Sequence, residues 1–576
     1  MNKIYKVIWS KVRNCCVAVS EIAKGHGKSC TVVDRAASVC GGIGAQDSCG
    51  MGGARIAGCL PFLRHSFAYK GQVALSLAVS LCIAGGSVAA AGVVTLYDRP
   101  SVSDAEAGYL VDSGYLYLAD GFKSLIVEGG TWNGALNTLY AGYSTTGANL
   151  TGYSLTVEDG ATFDNYNVTL CGAYGENDGT KQNTMSGNQL NIDGGSITAR
   201  DGIALYGSYI AGGSWTTGDT PNAVNISGGT LTSTDRTYGR ISIFGIDNDS
   251  AGAAVTGGAV NITGGVVSAS RDTGKAIRIG GIRNEKSASS GGSVSISGAW
   301  DNVNGAPTTQ LLVTDVDSPI FTIYAADTGD AAVQATGGSV TLSGHVGFQG
   351  TLVNLYGRGS GATGTGNTLH IGTEADAWRG YWKGGDAWNL NPTNRVGTVN
   401  NFDTVALYRV TFSANTPALQ TESLSYFSGD GKSGLANITL DLTKLSFVDA
   451  SGAAYAPEAG DSMTLLSAGH DLTGLKLAYD AATQETPVAL TAEGVACNTR
   501  ELVDGNENKF YSNEGAAALT NESKAVTYTV GTPHIALTDK TGTAGAVTIP
   551  SPRPPTPRRA ISSTTTTSGS PTASRP

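Results

Sequence analysis

Leu190-Asn191-Ile192-Asp193-Gly194-Gly195 returns as Val224-Asn225-Ile226-Ser227-Gly228-Gly229, and again as Val260-Asn261-Ile262-Thr263-Gly264-Gly265. Two apolar residues flank a third residue, usually polar; a small polar residue and glycine follow. The cadence occurs earlier as Leu125-Ile126-Val127-Glu128-Gly129-Gly130 and Leu155-Thr156-Val157-Glu158-Asp159-Gly160. It continues as Val294-Ser295-Ile296-Ser297-Gly298, Val340-Thr341-Leu342-Ser343-Gly344 and Leu369-His370-Ile371-Gly372. Marked at the second apolar residue, the copies stand at 127, 157, 192, 226, 262, 296, 342 and 371. The period is degenerate and close to 34 residues, the mark of a repeat array.

A second landmark falls between the copies: Leu139-Tyr140-Ala141-Gly142, Leu205-Tyr206-Gly207, Ile243-Phe244-Gly245, Ile277-Arg278-Ile279-Gly280-Gly281 and Leu355-Tyr356-Gly357. Each repeat therefore holds at least two short strands. Apolar spacing of two rather than 3.6 excludes the helical arrays of similar period. The pattern predicts an all-β chain built as a right-handed parallel β-helix, a β-solenoid. Leu190, Ile192, Val224, Ile226, Val260 and Ile262 would stack inward, and Asn191, Asn225 and Asn261 would form a polar ladder between them. Glycines after each strand would permit the positive φ needed at corners.

Composition agrees. The 576 residues include 80 glycines, with 15% charged and 40% hydrophobic residues. That apolar content excludes a disordered chain, and the lack of a three-residue glycine period excludes collagen. The net charge of −10 argues against a nucleic-acid partner, which needs a basic face. Charge is uneven along the chain. Residues 1–91 carry ten Lys or Arg against three acids, and residues 550–576 carry four Arg and no acid. The acidic body lies between. Seven of the nine cysteines fall within the first 82 residues, the reverse of a secreted disulfide scaffold.

Residues 1–91 read as a long, helical signal peptide. Arg64 and Lys70 precede an apolar h-region, 73–84, and Ala89-Ala90-Ala91 offers small residues for cleavage between Ala91 and Gly92. The start, Met1-Asn2-Lys3-Ile4-Tyr5-Lys6-Val7-Ile8-Trp9-Ser10-Lys11, is followed by Cys16-Val17-Ala18-Val19-Ser20-Glu21-Ile22-Ala23-Lys24-Gly25-His26-Gly27-Lys28. Residues 1–28 resemble the extended signal peptide region of type V secreted proteins of Gram-negative bacteria. The resemblance implies the Sec translocon and signal peptidase as partners in export, and an autotransporter-type passenger behind the leader. It says nothing of what the passenger does.

The repeat array spans 92–375. From 376 to 549 the texture changes, and the region reads as a C-terminal solenoid part of autochaperone type. Gly460-Asp461-Ser462-Met463-Thr464-Leu465-Leu466 resembles a strand common near the end of autotransporter passengers. Trp378, Tyr381, Trp382 and Trp388 cluster at the start of this region as candidate carbohydrate contacts, although a structural boundary wants such side chains too. Residues 550–576 are Pro-, Ser- and Thr-rich with no aromatic, a disordered tail unable to pair as strands. No segment shows the alternation of a translocator barrel. The tail reads as out-of-frame sequence in place of a barrel, or else as a linker toward a separate one. On the first reading the chain alone would stay in the periplasm, whereas an intact form would reach the cell surface, the outer membrane or the medium.

No catalytic, cofactor or metal constellation stands out. Gly460-Asp461-Ser462-Met463 lacks the downstream Asp-x-x-His of a hydrolase, and His345, His370, His470 and His534 have no ligand spacing. The expectation is a non-enzymatic, adhesin-like passenger that binds a host surface or matrix ligand or a glycan. The other function class is a secreted polysaccharide-cleaving β-helix enzyme.

Overall fold

The computed structural model describes residues 92–479 apart from 272, 315–317 and 459. It also describes 487–492, 495–496, 500–503, 509–512, 517–521, 523–530, 535–538 and 544–547, and the strands Tyr5–Ser10, Cys15–Ser20 and Val73–Ser76. The chain divides into two compact units, Met1–Phe67 and Ala68–Pro576. In the first, Tyr5–Ser10 and Cys15–Ser20 pair antiparallel. The second is a parallel β-solenoid of about eleven turns.

The repeated motif builds the first of three faces. It is a 14-stranded sheet, parallel except at its two end strands. Every marker of the period sits on the next: Leu96, Val127, Val157, Ile192, Ile226, Ile262, Ile296, Leu342, Ile371 and Leu407 form one column. The inward column belongs to one continuous core, in which Leu190, Ile192, Val224, Ile226, Val260 and Ile262 are at most 1% exposed. No turn encloses enough apolar surface alone, so stability comes from stacking on neighbours. Between the apolar columns runs the polar ladder. Asn261 Nδ2 donates to Asn225 Oδ1 at 2.9 Å, Asn225 Nδ2 to Asn191 Oδ1 at 2.9 Å, and Asn191 Nδ2 to Thr156 Oγ1 at 3.2 Å.

Two further faces complete each turn. The second face carries Ser196–Ala199 between Thr162–Asn165 and Thr230–Ser233. The third carries Gly202–Ile210 on Arg240–Asn248, which in turn lies on Ile277–Asn284. Strands Thr162–Gly175 and Ser196–Ile210 pass unbroken around the corner, so these two faces form one bent sheet. Three faces exceed the two strands per repeat evident in the sequence.

Glycine does two different jobs. At the corner from first to second face, Gly195, Gly229 and Gly265 adopt φ of 78°, 78° and 86°, where a side chain is strained. Gly207, Gly245 and Gly281 of the second landmark keep ordinary φ. They lie where third-face backbone presses on the first face, and a Cβ would strike Ala223, Ala259 or Ser293.

The chain returning from the third face to the first adds a fourth, short ladder. Leu150–Thr151, Gln182–Ser186 and Ser214–Thr217 stack in parallel, as do Val255–Thr256, Ser289–Ser290 and Ala335–Thr336. Trp215, Met185, Ile210, Ile246 and Ile282 fill a separate small core beneath it.

First-face pairing runs through residue 375 without a break, from Thr368–Ile371 to Thr404–Leu407, Thr439–Asp441 and Lys476–Ala478. The strand Ser462–Ala468 pairs in parallel with Leu419–Thr421 and antiparallel with Ala525–Val530. The tail 550–576 lies outside the described residues. One expectation is corrected. Where the leader is described it is strand, not helix: Val73–Ser76, the start of the h-region, pairs antiparallel with Gly92–Leu96. The open edge of the first face offers unpaired backbone groups, and an adjacent apolar segment satisfies them by pairing.

Candidate binding surface

Alternation on the third face sends Ile203, Leu205, Ile241 and Ile243 into the core and turns Ala204, Tyr206, Ser242 and Arg278 outward. Registers stack Asn167, Gly202 and Arg240 in one outward column, and Thr169, Ala204, Ser242 and Arg278 in the next. The small side chains at 202, 204 and 242 leave a groove of about 550 Å³ across several turns. That volume falls within the range of ligand sites, roughly 300–1,000 Å³.

One end of the groove is closed by ion pairs. Arg283 Nη1 donates to both carboxylate oxygens of Asp247 at 3.1 Å. Arg278 Nε donates to Asp327 Oδ2 at 2.7 Å, and its guanidinium lies 5.7 Å from the Phe244 ring centroid. Both aspartates are at most 1% exposed. Burial pushes the Asp247 carboxyl up to about 6, while Arg283 pulls it back down. Burial, together with the charge of the same carboxylate, raises the Tyr206 phenol well above its ordinary value. The opposite rim differs. Among the described residues, no hydrogen bond or ion pair engages the side chains of Asn167, Asp201 or Arg240.

Toward the N-terminal end the same outer face becomes a tyrosine stack. Tyr117 meets Tyr143 at 4.6 Å between centroids, Tyr143 meets Tyr174 at 5.3 Å, and Tyr174 meets Tyr209 at 5.5 Å. Tyr140 and Tyr206 flank this column at 5.4 Å from Tyr143 and Tyr209. These spacings follow the rise of one turn, and each offset pair adds about 0.5–1.5 kcal/mol beyond burial. In the sequence Tyr140 and Tyr206 stood out only as strand landmarks, and Tyr117, Tyr143, Tyr174 and Tyr209 did not stand out at all. Their signal was present all the same, since Tyr143, Tyr174 and Tyr209 recur near the repeat period.

The four aromatics singled out in the sequence are not brought to one surface. Trp378 lies in the core at 1% exposure. Trp382 packs against that core and stacks on Phe348 at 5.4 Å. Tyr381 lies outside the main core but is only 6% exposed, 4.7 Å from Trp300 and 5.5 Å from His345. Its hydroxyl lies 3.0 Å from His345 Nδ1, while Arg379 Nη1 lies 3.3 Å from Nε2. A guanidinium only donates, so Nε2 accepts and Nδ1 carries the hydrogen toward Tyr381. Trp388 lies against Gly347 and Pro307 under Lys383. Of the cleavage pair, Ala91 falls outside the described residues, and Gly92 is the buried first residue of the first turn.

Residues 1–48 match the family described as the Extended Signal Peptide of Type V secretion system. The leader is that of a type V secreted, autotransporter-type protein. The β-solenoid behind it is the exported passenger of this system. Its route runs through Sec export and signal peptidase processing into the periplasm, and from there to the surface or the medium. No curated protein and no solved structure matches the chain.

Proposed function

We propose that this type V passenger is an adhesin-like, non-enzymatic binding protein that engages a host surface or matrix ligand or a glycan along its outer third face. The observation that carries the reading is the division of labour in the groove. Its inner charges are locked to one another, whereas its rim presents Asn167, Asp201 and Arg240 unengaged beside an open volume of about 550 Å³. Such a surface offers positioned contacts for a ligand. A long solenoid repeats such surface along its axis, and a type V leader places it outside the cytoplasm.

A polysaccharide-cleaving enzyme is the second reading, and one observation favours it. Asp247 opens on the groove with its carboxyl pushed up to about 6, a value suited to a general acid. Against it, Arg283 holds both carboxylate oxygens. The test is incubation of the full chain with a glycan panel and with host extracellular matrix. Retention on one of them without change in the ligand is expected. Shortened oligosaccharides would overturn the non-enzymatic reading, and no retention on either support would overturn the binding role.

A further inference from the structure

We infer that the third-face groove takes a pyranose ring bearing a carboxylate, with Arg240 as the contact to the acid. The inference rests on the binding role proposed above and names the ligand class.

Three guanidiniums line the groove, those of Arg240, Arg278 and Arg283, against the carboxylates of Asp201 and Asp247. Arg278 and Arg283 are spent: each is held by a buried aspartate on a neighbouring turn, and Glu285 stands 3.8 Å from Arg283 Nε and 4.0 Å from Arg278 Nη2. Arg240 is different. It is solvent-exposed at the start of its strand, and among the described residues no carboxylate pairs with it. A guanidinium fork that no protein acceptor fills is suited to a bidentate carboxylate.

The remaining rim groups suit hydroxyls. Asp201 only accepts and Asn167 both donates and accepts, and neither side chain has a partner among the described residues. Ser242 adds a hydroxyl on the floor, and Gly202 and Ala204 keep that floor flat enough for a ring to lie on it. The apolar contact is Tyr206, whose ring lines the groove. Phe244 cannot serve, because it is 1% exposed beneath Arg278. One unspent cation, two hydroxyl-binding groups and one ring within a single groove describe an acidic sugar better than a peptide. An extended peptide would seek unpaired backbone at a sheet edge, whereas the strands lining this groove are paired on both sides.

The test uses the full chain and immobilised oligosaccharide pairs, each pair identical except for a terminal hexose or its uronic acid. Tighter retention on the acidic member is expected, with a loss of about tenfold in affinity for Arg240→Ala. Arg240→Lys should keep the charge and recover part of the loss, and added salt should narrow the gap between pair members. Because Arg240 is exposed, these variants should unfold at the wild-type denaturant concentration. Equal retention of both members, or an Arg240→Ala variant that keeps its preference, would overturn the ligand class and leave the binding role standing. Retention on matrix protein alone would do the same. Retention on nothing would overturn both.

Discussion

Arg283 Nη1 stands 3.1 Å from each carboxylate oxygen of Asp247, one turn of the solenoid away. The pair spans two rungs whose backbones are already joined, so it adds a charged cross-link where the core alone would hold. Burial raises the Asp247 carboxyl to about 6, above the ordinary range of about 4, and protonation therefore favours the folded chain. That contribution is complete below about pH 4 and is lost as pH rises through about 6. Asp247→Asn, which does not titrate, should flatten the decline in stability over this window. Arg283→Ala removes the group that pulls the carboxyl down and should steepen it. Denaturant midpoints measured from pH 4 to pH 8 decide the matter, and an unchanged slope in Asp247→Asn would refute the assignment.

Close approach of two faces makes a second prediction. Gly245 has an ordinary φ, so alanine would meet no backbone strain there, yet its Cβ would strike the Ala259 amide. Neither wall can give way, because both are sheet backbone. Gly245→Ala should cost about 3 kcal/mol, at the upper end of overpacking. Gly384, where added atoms meet nothing, should accept alanine with a change within about 0.5 kcal/mol. Equal midpoints for the two variants would sink this account of the landmark glycine.

Asn188 is fully buried and ties three segments together. Its Oδ1 accepts from the Tyr153 amide at 3.0 Å, and its Nδ2 donates to the Leu150 carbonyl at 2.9 Å and to Asn222 Oδ1 at 3.1 Å. Alanine would leave a buried backbone donor unmatched. A loss of about 2–4 kcal/mol is expected for Asn188→Ala, against about 1 kcal/mol for Asn225→Ala in the partly exposed ladder. Chemical denaturation of both variants checks the ranking, and the reverse order would refute it.

Much of this was legible in the sequence, for a physical reason. A stacked rung must present the same residue type in the same column, so Val127, Ile192 and Ile262 betray their register through spacing alone. The second face was harder to see. Ile197-Thr198-Ala199 and Leu231-Thr232-Ser233 alternate too briefly to stand apart from the turns around them. The groove was illegible residue by residue: Asn167, Asp201, Arg240 and Arg278 come from four turns, and each looks like an ordinary solvated side chain. One signal was overlooked. Asp247 and Arg283 are opposite charges 36 residues apart, one repeat length, which in a solenoid means contact. The tryptophans were ambiguous in the sequence, because bulk serves a core as readily as a ligand.

That ambiguity is testable at Trp378 and Trp388. Trp378 is at 1% exposure in the central core, and Trp378→Ala should cost about 3–5 kcal/mol. Trp388 lies on a short outer hairpin over Gly347, and Trp388→Ala should cost about 1 kcal/mol. Ligand retention should follow folding for the first and remain unchanged for the second. Lost retention in a fully folded Trp388→Ala would move the binding surface from the third face to this hairpin.

Processing supplies the last prediction. Gly92 opens the first turn, its amide donating to the Gly121 carbonyl at 2.9 Å, and the next inward residues, Val94 and Leu96, are fully buried. Cleavage between Ala91 and Gly92 would therefore remove the leader without taking any core residue from the passenger. It would also detach Val73–Ser76 from the edge of Gly92–Leu96, leaving that strand paired only with Phe122–Val127. Signal peptidase acts on small residues ahead of the cut, which Ala89 and Ala91 supply. Intact-mass measurement on periplasmic material should find a mature chain beginning within a few residues of Gly92. Ala91→Phe should block the cut, because the aromatic ring exceeds the pocket, and the precursor should then keep its leader. A wild-type species that retains 73–84 would show that the apolar run stays as an anchor, and would overturn the cleavage site.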